Sequence, residues 1–209
     1  ASAYHKYHRG QGWVFRDLLP VGASNFLERV PIKGHMFNAY AFGGYLCWRL
    51  YPEREVFIQG VMGAFDERLF DPYMQVARGS RDAESSFKRW NINYVVLPQP
   101  HPRGMMPGYL YRYLNRSPDW ALVYWDGVSV IYLQKSPSNA ELLRRYTYHY
   151  INPTGVRWIV QGAPKEAAAK EINRALKADP PTTALYSIAG DLWYKLNQWD
   201  KALADYRKA

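Results

Sequence analysis

The sequence predicts an α/β sandwich over residues 20–135, a mixed sheet with parallel strands and a C-terminal β-hairpin beneath packed helices, followed by an all-α segment. Three observations carry this. Short apolar runs rich in β-formers alternate with stretches whose apolar residues recur at helical spacing, which implies a partly parallel sheet. Two late runs, Trp120 to Trp125 and Val128 to Leu133, flank Asp126-Gly127, a two-residue hairpin signal that places antiparallel strands at one side. Beyond them one residue pattern recurs at a spacing of 34: Ala168, Ile172 and Ala175 are answered by Ala202, Tyr206 and Ala209.

Taken in order, residues 20–30 (PVGASNFLERV) predict a short helix, with Pro20 before it, Ser24 or Asn25 as cap, and Phe26, Leu27 and Val30 facing inward. Met36-Phe37-Asn38 reads as a strand. The stretch from Tyr40 to Tyr51 follows, with Gly43-Gly44 as a turn ahead of a helix that Pro52 stops. A second strand is expected from Val56 to Gln59, bounded by Gly60, and helical spacing resumes at Leu69, Tyr73 and Val76 and again from Phe87 to Trp90. Tyr94 to Leu97, closed by Pro98, is a buried strand by its β-branched content, and Tyr109 to Asn115 is another helix. In the hairpin, Asp126 and Gly127 are expected at positive φ. Pro137 and Asn139 begin a linking helix.

The chain has 209 residues, enough for one ordinary core plus an appendage. Hydrophobic residues make up 48% and charged residues 22%, a globular balance, and no apolar run approaches the roughly 18 residues that span a bilayer. The net charge of +9 attracts phosphate-rich polymers or anionic head groups. It is dispersed, with no run of five basic residues, so a solvated surface is preferred to a nucleic-acid footprint, and no nucleic-acid partner is expected. With a single Cys47, an internal disulfide and a multi-cysteine metal site are both excluded.

In the repeated register, Pro180 closes the first unit, and Gly190 and Trp193 open the second. Small residues let paired helices approach and a proline ends each unit, so these segments resemble tetratricopeptide repeats, whose period is 34 residues. The expected organisation is a juxtamembrane segment at 1–19, the α/β domain at 20–135, a linking helical segment at 136–163 and repeat-like helices at 164–209. The register also predicts a piece of a longer protein, cut inside a repeat array.

GHMFNAYAFGGYLCWRLYPEREVFIQG, then WNINYVVLP and SPDWALVYWDGVSVIYLQK, resemble the extramembrane tail of polytopic membrane glycosyltransferases related to the dolichyl-phosphate-mannose mannosyltransferases. The likeness covers roughly residues 15–135. Its most distinctive part is Phe37-Asn38, Gly43-Gly44-Tyr45-Leu46, Trp48-Arg49-Leu50, Pro52 and Val56 to Ile58. It implies attachment through an absent N-terminal transmembrane region, an extracytoplasmic (periplasmic) location, and chemistry carried out elsewhere in the parent. After the second strand that family carries an acid, a glycine and an arginine. Here those positions hold Gln59, Gly60 and Val61, with Asp66 and Arg68 nearby as substitutes.

No constellation of catalytic residues emerges. Asp66, Glu67 and Asp71 surround Arg68, which reads as a solvated, ion-paired loop. His5 and His8 lack a neighbouring cysteine or carboxylate, and His35 and His149 stand alone, so no metal is expected. There is no G-x-S-x-G elbow, and Gly43-Gly44 lacks the third glycine and Lys-Ser/Thr of a nucleotide loop. Open α/β sheets bind ligands beyond the carboxyl ends of their strands, which groups Asn38, Tyr40, Tyr45, Gln59 and Asp66 as the candidate pocket. Each also has a structural reading: a buried Asn bonding a turn, tyrosine rings filling core with hydroxyls at the rim.

The expectation is therefore a non-catalytic accessory region, with no cofactor, whose repeats recruit a protein or peptide. A glycan- or lipid-linked-sugar-binding module is the alternative. Nucleic-acid binding is the weaker one, to be recognised by strong salt dependence.

Overall fold

The structure, a computed structural model of the chain, describes residues 18–60, 67–79, 82–100, 108–155, 158–178 and 181–209. Its centre is a four-stranded mixed sheet of β1 (His35–Asn38), β2 (Ile92–Pro98), β3 (Trp120–Trp125) and β4 (Ser129–Gln134), in the order β1-β2-β4-β3. β1 runs parallel to β2, with Phe37 beside Val95, while β4 is antiparallel to both β2 and β3. Side chains alternate between the two faces, as the period of a strand requires. Phe37, Val95, Leu97, Val130 and Tyr132 enter one core, and Met36, Tyr94, Val96, Ile131 and Leu133 enter the other. With both faces covered, β2 reads as an unbroken apolar run from Tyr94 to Leu97.

Helices α1 (Val21–Arg29) and α2 (Tyr40–Leu50) cover the second face together with the partly buried Leu142, Leu143 and Tyr146 of α6 (Ala140–Tyr146). On the first face lie α3 (Glu67–Arg78), α4 (Ala83–Arg89) and α5 (Tyr109–Arg116). This is the predicted α/β arrangement, with four local departures. Ser24 does not cap α1: its hydroxyl donates to the Pro20 carbonyl at 3.0 Å from inside the helix. Gly43-Gly44 lies within α2, which begins three residues before it; no turn precedes the helix. Val56 to Gln59 forms no strand and bends at Phe57, for a reason given below. Neither Asp126 nor Gly127 has positive φ, because the Asp126 carboxylate closes the turn by accepting from the Val128 and Ser129 N–H groups at 2.7 and 2.6 Å.

After a 3₁₀ turn at Pro137–Asn139, α6 ends at Tyr146, so the stretch expected to be a linking helix is helical only in its first part. The described residues from 147 to 164 are irregular, with a bridge between Ile151 and Ile159. Three helices follow: α7 (Lys165–Ala178), α8 (Thr183–Lys195) and α9 (Trp199–Tyr206). Their apolar residues join the first core without a break, from Trp125, Tyr148 and Ile151 through Ala168, Ile172 and Ala175 to Leu185 and Leu192. Two polar devices fix the junction. Glu171, buried on α7, accepts from the backbone N–H groups of His149, Tyr150 and Ile151 at 2.7, 2.9 and 2.9 Å. Arg174, one turn on, donates to the Thr147 carbonyl and lies 3.8 Å from the centre of the Tyr148 ring.

Candidate functional site

At the carboxyl end of β1, Asn38 is fully buried and its carboxamide does the work of a missing strand. Its Oδ1 accepts from Phe57 N–H at 2.8 Å and Ile58 N–H at 3.3 Å, while its Nδ2 donates to the Ile58 and Ala39 carbonyls at 2.8 and 3.0 Å. A side-chain amide has the donor and acceptor of a peptide group, so the 57–58 backbone is satisfied without a ladder. That is why a segment with strand composition is not a strand. With all four bonds internal, Asn38 holds the fold at this point.

Tyr40 and Gln59 do come near Asn38. The Tyr40 N–H donates to the Tyr73 hydroxyl at 2.8 Å, its ring meets Phe70 edge-on at 5.8 Å, and its hydroxyl lies against Gly60. Gln59 is half-buried beside Ile58. Tyr45 is separate, on the side of α2 that meets α1: its hydroxyl accepts from Arg49, which also binds Asn25 and Glu28 at 2.9 Å each. Asp66 lies outside the described residues. Two of the expected pocket residues therefore gather around Asn38 and one does not.

Two more tyrosines close this edge. Tyr111 of α5 donates its hydroxyl to the Pro98 carbonyl at 2.7 Å, and burial pushes both it and Tyr73 above the ordinary phenol range. Both are therefore neutral hydrogen-bonding groups at physiological pH. Gln99, next to Pro98, donates to the Pro153 carbonyl at 3.1 Å and leaves its own buried Oε1 without a partner.

Elsewhere, a cleft of about 780 Å³ opens between β3, α5 and residues 147–152. Its walls include Trp120, and its floor is a polar network. The Tyr132 hydroxyl meets Asn115 Oδ1 at 2.7 Å and the Thr154 hydroxyl; Asn152 Nδ2 donates to Asn115 Oδ1 at 2.9 Å; and Thr154 donates to Asn152 Oδ1 at 2.7 Å. The lining has no carboxylate, and Lys135, Arg144 and His149 contribute cationic or basic groups. Sequence reasoning missed this site. Its residues come from α5, β4 and a loop, separated by up to 39 positions, and no short motif joins them. A second groove of similar volume runs beside Met36, Phe57 and Trp90. There Arg54 is committed to the end of α1, donating to the Leu27 and Val30 carbonyls at 2.9 Å each.

Of the residues that define the repeated register, Ala168, Ile172, Ala175, Gly190, Trp193 and Ala202 are buried. Gly190 is required by contact: a Cβ there would sit 2.5 Å from the Tyr206 ring. Trp193 Nε1 donates to the buried Asp205 at 3.0 Å. Tyr206 and Ala209 are exposed, and Pro180 lies outside the described residues. On the outer side of α9, Trp199 and Leu203 are exposed in line, and Trp199 stacks edge-on against Tyr194 at 4.7 Å.

Among the described residues no group of three or more His, Cys, Asp or Glu side chains is arranged to hold a metal. No helix of the described residues is long and apolar enough to cross a membrane. No family model matches the chain, and neither a curated protein nor a solved structure shows significant similarity to it.

Proposed function

We propose that this chain is a non-catalytic accessory and interaction region of a membrane glycosyltransferase-like protein, lying on the extracytoplasmic side, whose C-terminal tetratricopeptide-like helices bind a protein or peptide. The observation that carries the reading is the apolar stripe of Trp199 and Leu203 with Tyr194, exposed on the pair α8 and α9, of which α9 repeats the register of α7. Helix pairs of this kind present extended surfaces to a partner. The polar groups described above are absorbed by the fold: Asn38, Glu171 and Asp126 all bond backbone. A photo-crosslinking amino acid at position 203 of the full-length protein in its native cell tests it. A discrete protein adduct there, absent when the crosslinker replaces the exposed Lys88, is the expected result; no adduct, or only lipid adducts, overturns it.

A second reading is favoured by the Trp120 cleft. The amide and hydroxyl groups of Asn115, Asn152, Ser136 and Thr147 beside apolar walls suit a polyhydroxylated ligand such as a glycan, and about 780 Å³ accommodates a sugar. Titration of mono- and disaccharides, followed through the indole N–H resonances, tests it. Saturable shifts that vanish in Asn152→Leu support the sugar-binding module, and no shift at millimolar ligand removes it.

A further inference from the structure

Strand β1 stands at one edge of the sheet, and among the described residues it pairs with β2 alone. In a parallel pair the N–H and C=O of one residue point to the same side, and successive residues alternate. The Ala39 N–H donates to the Val96 carbonyl at 3.0 Å and the His35 N–H donates to Asn93 Oδ1 at 2.8 Å, so residues 35, 37 and 39 turn their backbone toward β2. Met36 and Asn38 therefore turn theirs outward. At Asn38 the edge is closed by the 57–58 backbone, which the Asn38 side chain holds. At Met36 it is open: the outward N–H and C=O bond no described group.

The groove of about 780 Å³ beside Met36 opens at this place. Its lining joins Ile32 and Met36, from the core on one face of the sheet, to Phe57 and Trp90, which pack against the core on the other. A cavity that draws on both faces lies at the sheet edge and not over a face. The segment 52–57 forms its other side, and there the Glu55 and Val56 backbone groups also form no hydrogen bond with a described group. Unpaired backbone at a strand edge is complementary to one kind of ligand, another extended backbone. Charge favours no other, because the lining carries both signs: Lys33 faces the same groove as Glu53 and Glu55. The half-buried Phe57 and Trp90 rings, 4.9 Å apart, add an apolar seat for one side chain. We propose that the open edge at Met36 docks an extended peptide of a partner protein, which adds a strand outside β1 and lodges an apolar side chain against Phe57 and Trp90. This site lies in the sheet and is independent of the partner surface on the C-terminal helices.

A random heptapeptide library displayed on phage and selected against the full chain supplies the probe, and the backbone amide resonances of the chain locate it. The expected result is a peptide that shifts Met36 and the Trp90 indole and slows exchange of the Met36 amide on the order of tenfold or more. Strand pairing engages the backbone of alternate peptide residues only. N-methylation within one alternating set should therefore weaken binding on the order of tenfold per site, and within the other set leave it nearly unchanged. Binding that no N-methylation weakens overturns the proposal, since side chains alone would then carry the recognition. A selection that yields no peptide, or only peptides that shift α8 and α9, overturns it as well. Shifts at Met36 that appear on concentrating the chain without peptide would assign the edge to a second copy and overturn it too. The methylation series is made on the peptide, so its outcome does not depend on a variant of the chain folding. The crosslink at position 203 is unaffected by any of these results.

Discussion

Asp126 shows how one side chain can close a hairpin and leave a titration signature. Four donors converge on its carboxylate: Tyr124 Oη at 2.7 Å, the Val128 and Ser129 N–H groups, and the Ser129 hydroxyl at 3.2 Å. Burial nonetheless dominates and pushes its pKa above the ordinary carboxylate range. The folded chain therefore holds this proton more tightly than the unfolded chain, whose aspartate titrates near about 3.9. The associated stabilisation is complete below that pH and is lost as pH rises through the folded-state value. Asp126→Asn keeps an acceptor for the two backbone donors and has no proton to lose. The stability of the wild type relative to Asp126→Asn should thus fall as pH rises from about 4, measured by urea denaturation across the acidic range. Asp126→Ala strands two buried N–H groups and should cost about 3 kcal/mol at about pH 4, and less as pH rises. Only half of this was legible in the sequence. Asp-Gly announced the hairpin, but its ordinary reading as a positive-φ pair was displaced by the carboxylate, which satisfies the turn without it.

At the scale of the element, adjacent glycines in α2 make opposite predictions. A Cβ on Gly43 would lie 2.0 Å from the Ile58 carbonyl oxygen and 2.6 Å from Gln59 Cα, both backbone atoms that Asn38 holds in place. Gly43→Ala should therefore destabilise by about 2 kcal/mol or more, as overpacking against fixed backbone does. Gly44→Ala meets open space and should stabilise by up to about 1 kcal/mol, the difference in helix propensity. Thermal melts of the two single variants, moving in opposite directions, would establish that both residues are helical and that the 58–59 backbone crosses at Gly43. The sequence correctly located the helix that Pro52 follows, because its apolar residues repeat locally. It misplaced the start because a close approach by a segment 15 residues away is written in no local pattern. The strand expected at Val56 to Gln59 failed for a matching reason: its β-branched content fits a ladder, but its partner is a side chain from β1.

For the whole molecule, the C-terminal helices close the core as well as presenting a surface. The apolar cluster runs unbroken from Phe37 and Val95 in the sheet to Ala189 and Trp193 in α8. Gly127, at the hairpin tip, sits where any Cβ would come within 2.4 Å of Thr182 Oγ1 and 2.5 Å of Leu185 N, the two groups of the α8 N-cap bond. The 34-residue register foretold these helices but could not show that they rest on the sheet, since periodicity encodes only what a helix does along its own axis. The consequence is energetic coupling. Calorimetry of the whole chain should give one transition whose calorimetric and van't Hoff enthalpies agree, the test of two-state unfolding. Glu171 is the decisive lever. Replacing it by Ala removes the acceptor for three consecutive backbone N–H groups, whereas Gln keeps an oxygen for Tyr150 and Ile151 and turns its amide nitrogen toward the His149 N–H. Glu171→Ala should cost about 3 kcal/mol or more and Glu171→Gln less, and both should lower the single transition without splitting it. If Glu171→Ala instead produced two separate transitions, the sheet and the helices would be independent folding units, and the continuous core would contribute little to holding them together.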